Sequence, residues 1–164
     1  MTSPSSDLPR LDEVVDLGSW SRFQPTLARF LDDAPSHLGN LTILLTAPEP
    51  VVTPESLHQR WGLRSLLRRG PALVASQEVP GVVLTTRADG VEVDLPILDA
   101  AGAVLLPPQA QEDLQALGWQ QHTDVLARLL PDGASAAQAV ARVLIEVLEV
   151  PHPADLDHLV TSMD

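Results

Sequence analysis

The sequence contains no cysteine and no tyrosine, and all ten of its basic residues are arginine. Without cysteine, a disulfide framework, thiolate metal sites and a thiol nucleophile are excluded together. Without lysine or tyrosine there is no P-loop lysine, no Schiff base and no phenolic acid, which leaves carboxylates, five histidines and a few hydroxyls for any catalysis. Long apolar runs are also missing: a membrane span needs about 20 residues, and the longest stretch, Val140 to Val150, is broken by Arg142, Glu146 and Glu149. Positive charge is scarce, with 22 acidic residues against 10 basic ones and a net charge of −12. Such a surface repels nucleic-acid backbones and anionic lipid, so neither is expected as a partner. The opening residues, Met1 to Asp7, lack the basic end and apolar block of a secretory signal, and the cytoplasm is the expected location.

What is present is an ordinary globular composition, 45% hydrophobic and 20% charged. At 164 residues the chain is long enough to bury roughly 70% of its unfolded surface around one core. Residues 1–18, rich in Ser, Pro and Asp, are expected as a flexible tail, and residues 19–164 as a single domain. Trp20, Phe23, Leu27, Phe30 and Leu31 fall at helical spacing, ending at Asp32 to Pro35, with Pro25 delaying the regular helix to near Gln24. Leu41 to Ala47 reads as a strand. Thr53-Pro54-Glu55 reads as the start of a helix running to Gly70. Strands are expected at Ala72 to Gln77, Val82 to Arg87 and Val91 to Leu95, the last two joined by the turn Ala88-Asp89-Gly90. Ala103 to Leu106 suggests a short edge strand, and Gln109 to Leu117 a helix stopped by Gly118. Short helices are read at Thr123 to Leu130 and Ala154 to Thr161. Ser135 and Gln138 resemble a capping box opening a long helix whose stripe is Val140, Val143, Leu144, Val147 and Leu148.

Few residues suggest chemistry. Arg60, Arg64 and Arg68 recur at i, i+4, with Arg69 beside them and Trp61 among them. Guanidinium forks suit a partner's carboxylates or a phosphate, although the same pattern also makes an ordinary solvated helix face. His152, Asp155, Asp157 and His158 cluster near the C-terminus, and a small metal-dependent or hydrolytic enzyme using His152, Asp155 and His158 is the rival reading; the spacing fits no zinc-protease motif. Glu92 and Asp94 alternate with valines, as acid/base groups or as the wet face of a strand. No Gly-x-Ser-x-Gly elbow and no Gly-rich phosphate loop occurs, so no enzyme activity and no cofactor are expected. Trp20, Trp61 and Trp119 sit where helices start, cross or end, as core residues do.

Trp20 with Phe23, the stop Leu105-Leu106-Pro107-Pro108, the triplet Leu117-Gly118-Trp119, and the segment from Val147 through Val150-Pro151-His152-Pro153 to Leu156 together carry a resemblance. In that order they resemble the TY-Chap domain, a type III secretion chaperone-like domain recorded mostly in actinobacterial proteins. The helix expected at about 53–70, with its arginines, looks inserted relative to that family. The resemblance implies an α+β fold, helices packed on a twisted antiparallel sheet, and a non-enzymatic role in holding a partner polypeptide, commonly as a homodimer. An immunity-type protein with one fixed partner is a further reading.

Overall fold

The alternation that predicts strands after Gly39 is realised in one antiparallel sheet. A computed structural model of the chain describes residues 7–55, 57 and 73–163. Among them are six strands: β1 (Leu41–Thr46), β2 (Gly81–Arg87), β3 (Gly90–Pro96), β4 (Gln120–His122), β5 (Val125–Leu130) and β6 (Asp157–Ser162). Their spatial order is β4-β5-β3-β2-β1-β6, with every neighbouring pair antiparallel. Because side chains alternate across a strand, one face collects Leu41, Ile43 and Leu45, then Val82 and Leu84, Val91, Val93 and Leu95, and Leu126 and Leu130, all buried. Among the described residues four α-helices lie on that face: α1 (Leu11–Val14), α2 (Trp20–Leu38), α3 (Pro108–Ala116) and α4 (Gly133–Arg142). They add Leu11, Phe23, Leu27, Leu31, Leu114, Ala136 and Val140 to the same core. The fold is α+β, an antiparallel sheet with helices packed on it.

The tight β2–β3 hairpin forms at Ala88-Asp89, with Arg87 opposite Gly90. Gly90 has φ 144°, and a Cβ there would stand 2.1 Å from the Leu130 carbonyl oxygen of the adjoining strand β5. Thr86, 2% exposed among apolar neighbours, is satisfied because its Oγ1 accepts the Leu41 N–H at 2.7 Å.

Several elements differ from the sequence reading. From Leu11 onward the expected tail is packed: α1 buries Leu11, and Val15 follows it into the core. Helix α2 starts at Trp20 rather than near Gln24, because a proline close to the N-terminus forfeits only its bond to the Ser21 carbonyl, and the Phe23 N–H still reaches the Ser19 carbonyl at 2.9 Å. It continues to Leu38, past Pro35, because Ala34 is drawn into the core, and ends at Gly39 with φ 74°. The cap of α4 is Asp132, which accepts the Ser135 N–H at 2.7 Å; Ser135 itself lies inside the helix. Here α2 decides the start, since Asp32 accepts the Gly133 N–H at 2.8 Å. A Cβ on Gly133 would lie 2.3 Å from the Ala28 carbonyl oxygen, so only glycine permits this approach.

Thr123 to Leu130 is no helix: β4 and β5 form a hairpin there, with Thr123 at φ 54° in the turn. Leu126 and Leu130 suit both helical and strand spacing, and pairing with β3 settles the ambiguity. Ala154 to Thr161 is likewise not a helix; a short 3₁₀ turn, Pro153–Asp155, leads into β6, which pairs along the whole of β1. Among the described residues, neither 73–77 nor Ala103 to Leu106 forms a strand, and Ala72, where the first was expected to begin, lies outside them. Among their described residues Val104 makes isolated bridges to Ala75 and Leu98. Ser76 Oγ donates to Asp99 at 2.6 Å, and that carboxylate also accepts from Ala101 and Ala103, which holds it below its ordinary pKa. The helix start at Pro54 is present, with the Leu57 N–H on the Thr53 carbonyl at 3.2 Å. The rest of that expected helix lies outside the described residues.

The long C-terminal helix keeps its predicted stripe but changes pitch. After Arg142 it widens into a π turn, Val143–Val147, in which the Leu148 N–H bonds to the Val143 carbonyl at 2.9 Å. Glu149, at φ 52°, ends it in the left-handed conformation, and the Val150 N–H closes back on the Leu144 carbonyl.

Candidate functional site

With α1 to α4 on one side, the opposite face of the sheet presents the alternate residues of each strand. The strand registers arrange these residues in rows across the sheet. The middle row reads Leu159, Leu44, Val83, Asp94, Ala127 and Gln120, from β6 to β4. A second row reads Thr161, Thr42, Thr85, Glu92 and Leu129. Leu159 is 56% exposed, Leu129 49% and Leu44 37%. Adjacent leucines at this exposure form an apolar strip, where single scattered residues would need no explanation. Neighbouring strands are about 4.8 Å apart, so Leu159, Leu44 and Val83 extend over roughly 10 Å before reaching Asp94.

The polar end of the face is built on β3, whose alternation was legible in the sequence. Glu92 and Asp94 lie two apart on one strand, side by side on the face that none of α1 to α4 covers. Arg87, from β2, forms an ion pair with Glu92. Among the described residues, no ion pair reaches Asp94. Its pKa is raised from the ordinary 3.8 to about 6, chiefly by burial and then by the charge of Glu92 and a hydrogen bond with it, while Arg87 and His122 oppose the shift. Beside this pair the face becomes a groove of about 490 Å³, lined by Glu92, Gln120, His122, Ala127 and Leu129.

Arg60, Trp61, Arg64, Arg68 and Arg69 lie outside the described residues. The C-terminal His/Asp group does not converge. His152 hydrogen-bonds the Gly18 carbonyl through Nε2 at 3.1 Å and accepts the Ala154 N–H through Nδ1, so both ring nitrogens are committed to joining the chain before α2 to the turn before β6. Asp157 and His158 are consecutive on β6 and alternate to opposite faces, His158 opposite buried Leu45 and Asp157 opposite Thr46. Among the described residues no cluster of His, Asp or Glu is arranged to hold a metal ion, and no helix is long and apolar enough to cross a membrane. Trp119 is buried, as expected of a core residue. Trp20 is half-buried, stacks edge-on to Phe23 and directs its indole N–H to the Pro151 carbonyl at 3.4 Å.

Reasoning from sequence missed Leu44 and Leu159 as surface residues. Leu44 sits within the unbroken apolar triplet Ile43-Leu44-Leu45, between Thr42 and Thr46 on its own face, and Leu159 in a segment whose spacing also fits a helix. No curated protein and no solved structure matches the chain. A family model described as T3SS (YopN, CesT) and YbjN peptide-binding chaperone 3 matches residues 12–161. The match covers all six strands up to the last residue of β6, and with it both faces of the sheet, so the chain belongs to this TY-Chap3 family of chaperone-like, peptide-binding domains.

Proposed function

We propose that this protein is a non-enzymatic module that holds a segment of a partner polypeptide against the uncovered face of its sheet. The observation that carries this reading is the row Leu159, Leu44, Val83: large apolar side chains placed side by side on a face that no described helix covers. Burying a leucine removes apolar area worth about 2 kcal/mol, and the rigid sheet presents the strip without first having to order it. The peptide-binding description of the family supports the reading, as does the structural commitment of His152, the residue on which the rival enzyme would most depend.

An array of overlapping peptides drawn from candidate partners, probed with the wild type and with a Leu44→Asp, Leu159→Asp double variant, tests it. The wild type should retain a subset of peptides and the folded variant should lose them. Equal retention by both would overturn the assignment of this face. Arg60, Arg64 and Arg68, with Arg69 and Trp61, are proposed to adjust partner choice by pairing with acidic groups. Unchanged peptide selection by a triple Arg→Glu variant at the first three positions would remove them from that role.

A further inference from the structure

We infer that the uncovered face selects apolar segments carrying a basic side chain, the aliphatic groups lying on Leu159, Leu44 and Val83 and the Lys or Arg head meeting Glu92 and Asp94. This rests on the proposed holding role and names the chemistry of the segment held. The middle row supplies the geometry: three apolar residues on β6, β1 and β2 lead directly to a carboxyl on β3. A ligand that follows the strip therefore arrives at Asp94, with Glu92 two residues away on the same strand.

Charge supplies the complement. Every strand packed around Asp94 can be checked for a balancing cation. From β2 comes Arg87, already paired with Glu92. From β4 comes His122, on the far side of β5. The charged residue of β5, Arg128, pairs opposite buried Val93, which turns it to the helix-covered face, although it also lines the groove beyond Glu92. From β1 come Thr42, Leu44 and Thr46, which carry no charge, and β6 adds a further carboxylate, Asp157. Among the described residues, two carboxyls thus share one arginine at the edge of an apolar strip, in a protein of net charge −12. Burial, and after it the neighbouring charge of Glu92, favours a proton on Asp94 in the absence of a ligand and raises its pKa to about 6. An incoming ammonium or guanidinium takes the place of that proton, and a guanidinium can bridge both carboxylates. Association should therefore strengthen as the pH rises through about 6, by linkage. An acidic partner segment would add a third negative charge to the pair and be rejected.

The test uses a labelled synthetic peptide of alternating leucine and alanine with a central arginine, and counterparts with glutamine or glutamate at that position, read by fluorescence anisotropy on the full chain. Near pH 7.5 the arginine peptide should bind about tenfold more tightly than the glutamine peptide, the scale of a charge-assisted contact at a partly buried site. The preference should shrink near pH 5 and disappear in Asp94→Asn, whose unfolding by urea confirms that it is folded. Equal affinity for the arginine and glutamine peptides would overturn the inference while leaving the holding role intact. Peptide binding that survives Leu44→Asp, Leu159→Asp would overturn the assignment of the face itself. Failure of every peptide to bind folded wild type would overturn both. So would light scattering that shows a dimer abolished by the same double substitution, since the face would then belong to a second copy of the chain.

Discussion

Glu149 has a φ of 52° although it carries a side chain. For an L-residue the left-handed region costs roughly 1–2 kcal/mol, and glycine adopts it without that penalty. Part of the gain is offset by the greater freedom glycine has in the unfolded chain. Glu149→Gly should therefore stabilise the protein by about 0.5–1 kcal/mol, read as a higher urea midpoint with an unchanged slope. Asp94 behaves in the opposite sense. Its pKa is near 3.8 unfolded and about 6 folded, so between these values the native state holds a proton that the unfolded state has released. Stability contributed by the protonated form is complete below the lower value and lost as the pH rises through the upper one. Because the site is partly exposed, screening limits the loss to about 1 kcal/mol. Asp94→Asn should accordingly raise the melting temperature near pH 7.5 and leave it unchanged near pH 4.

At the scale of elements, what could be read in advance was whatever a short window carries. Gly118 marks the end of α3, Ala88-Asp89-Gly90 marks the β2–β3 hairpin, and the strict alternation of Val91, Val93 and Leu95 with Glu92 and Asp94 marks β3. The failures were of another kind. Strands β5 and β6 each take their identity from a partner distant in the chain, β3 and β1, because their own apolar residues fit two periods equally well. The cap of α4 depends on Asp32, more than a hundred residues away from Gly133. Helix α1 shows the same dependence on packing: four residues cannot sustain a helix in water, and Leu11, fully buried, holds this one in place. Leu11→Ala should cost about 2–5 kcal/mol, as truncation of a buried leucine does, a loss that chemical denaturation would register at once. A change within about 0.5 kcal/mol would mean that α1 is dispensable to the core.

For the whole molecule the dominant electrostatic quantity is the net charge of −12. Self-repulsion at this charge destabilises the folded state, and moderate salt screens it, since the Debye length falls to about 10 Å at 0.1 M. The four ion pairs among the described residues each use an arginine more than half exposed, so salt sacrifices little there. Thermal melts should move upward when sodium chloride is added to a low-salt buffer, and a downward shift would mean that the ion pairs matter more than the repulsion. The same addition should weaken the arginine peptide more than its glutamine counterpart, tying the field of the molecule to the chemistry of its open face.

Composition and local pattern were enough to establish the acidic charge, the excluded thiol and lysine chemistries, the stop of α3 at Gly118 and the carboxyl-bearing strand β3, and the family resemblance added the α+β fold. These properties depend on residue type and on neighbours within a turn or two, and a linear reading contains both. Which face of the sheet α2 and α4 cover depended on where they dock. That Leu159, Leu44, Val83 and Asp94 stand in one row required β6, β1, β2 and β3 to pair in a single register. Register is settled by burying one face of every strand at once, a condition on the whole core that no short stretch of sequence expresses.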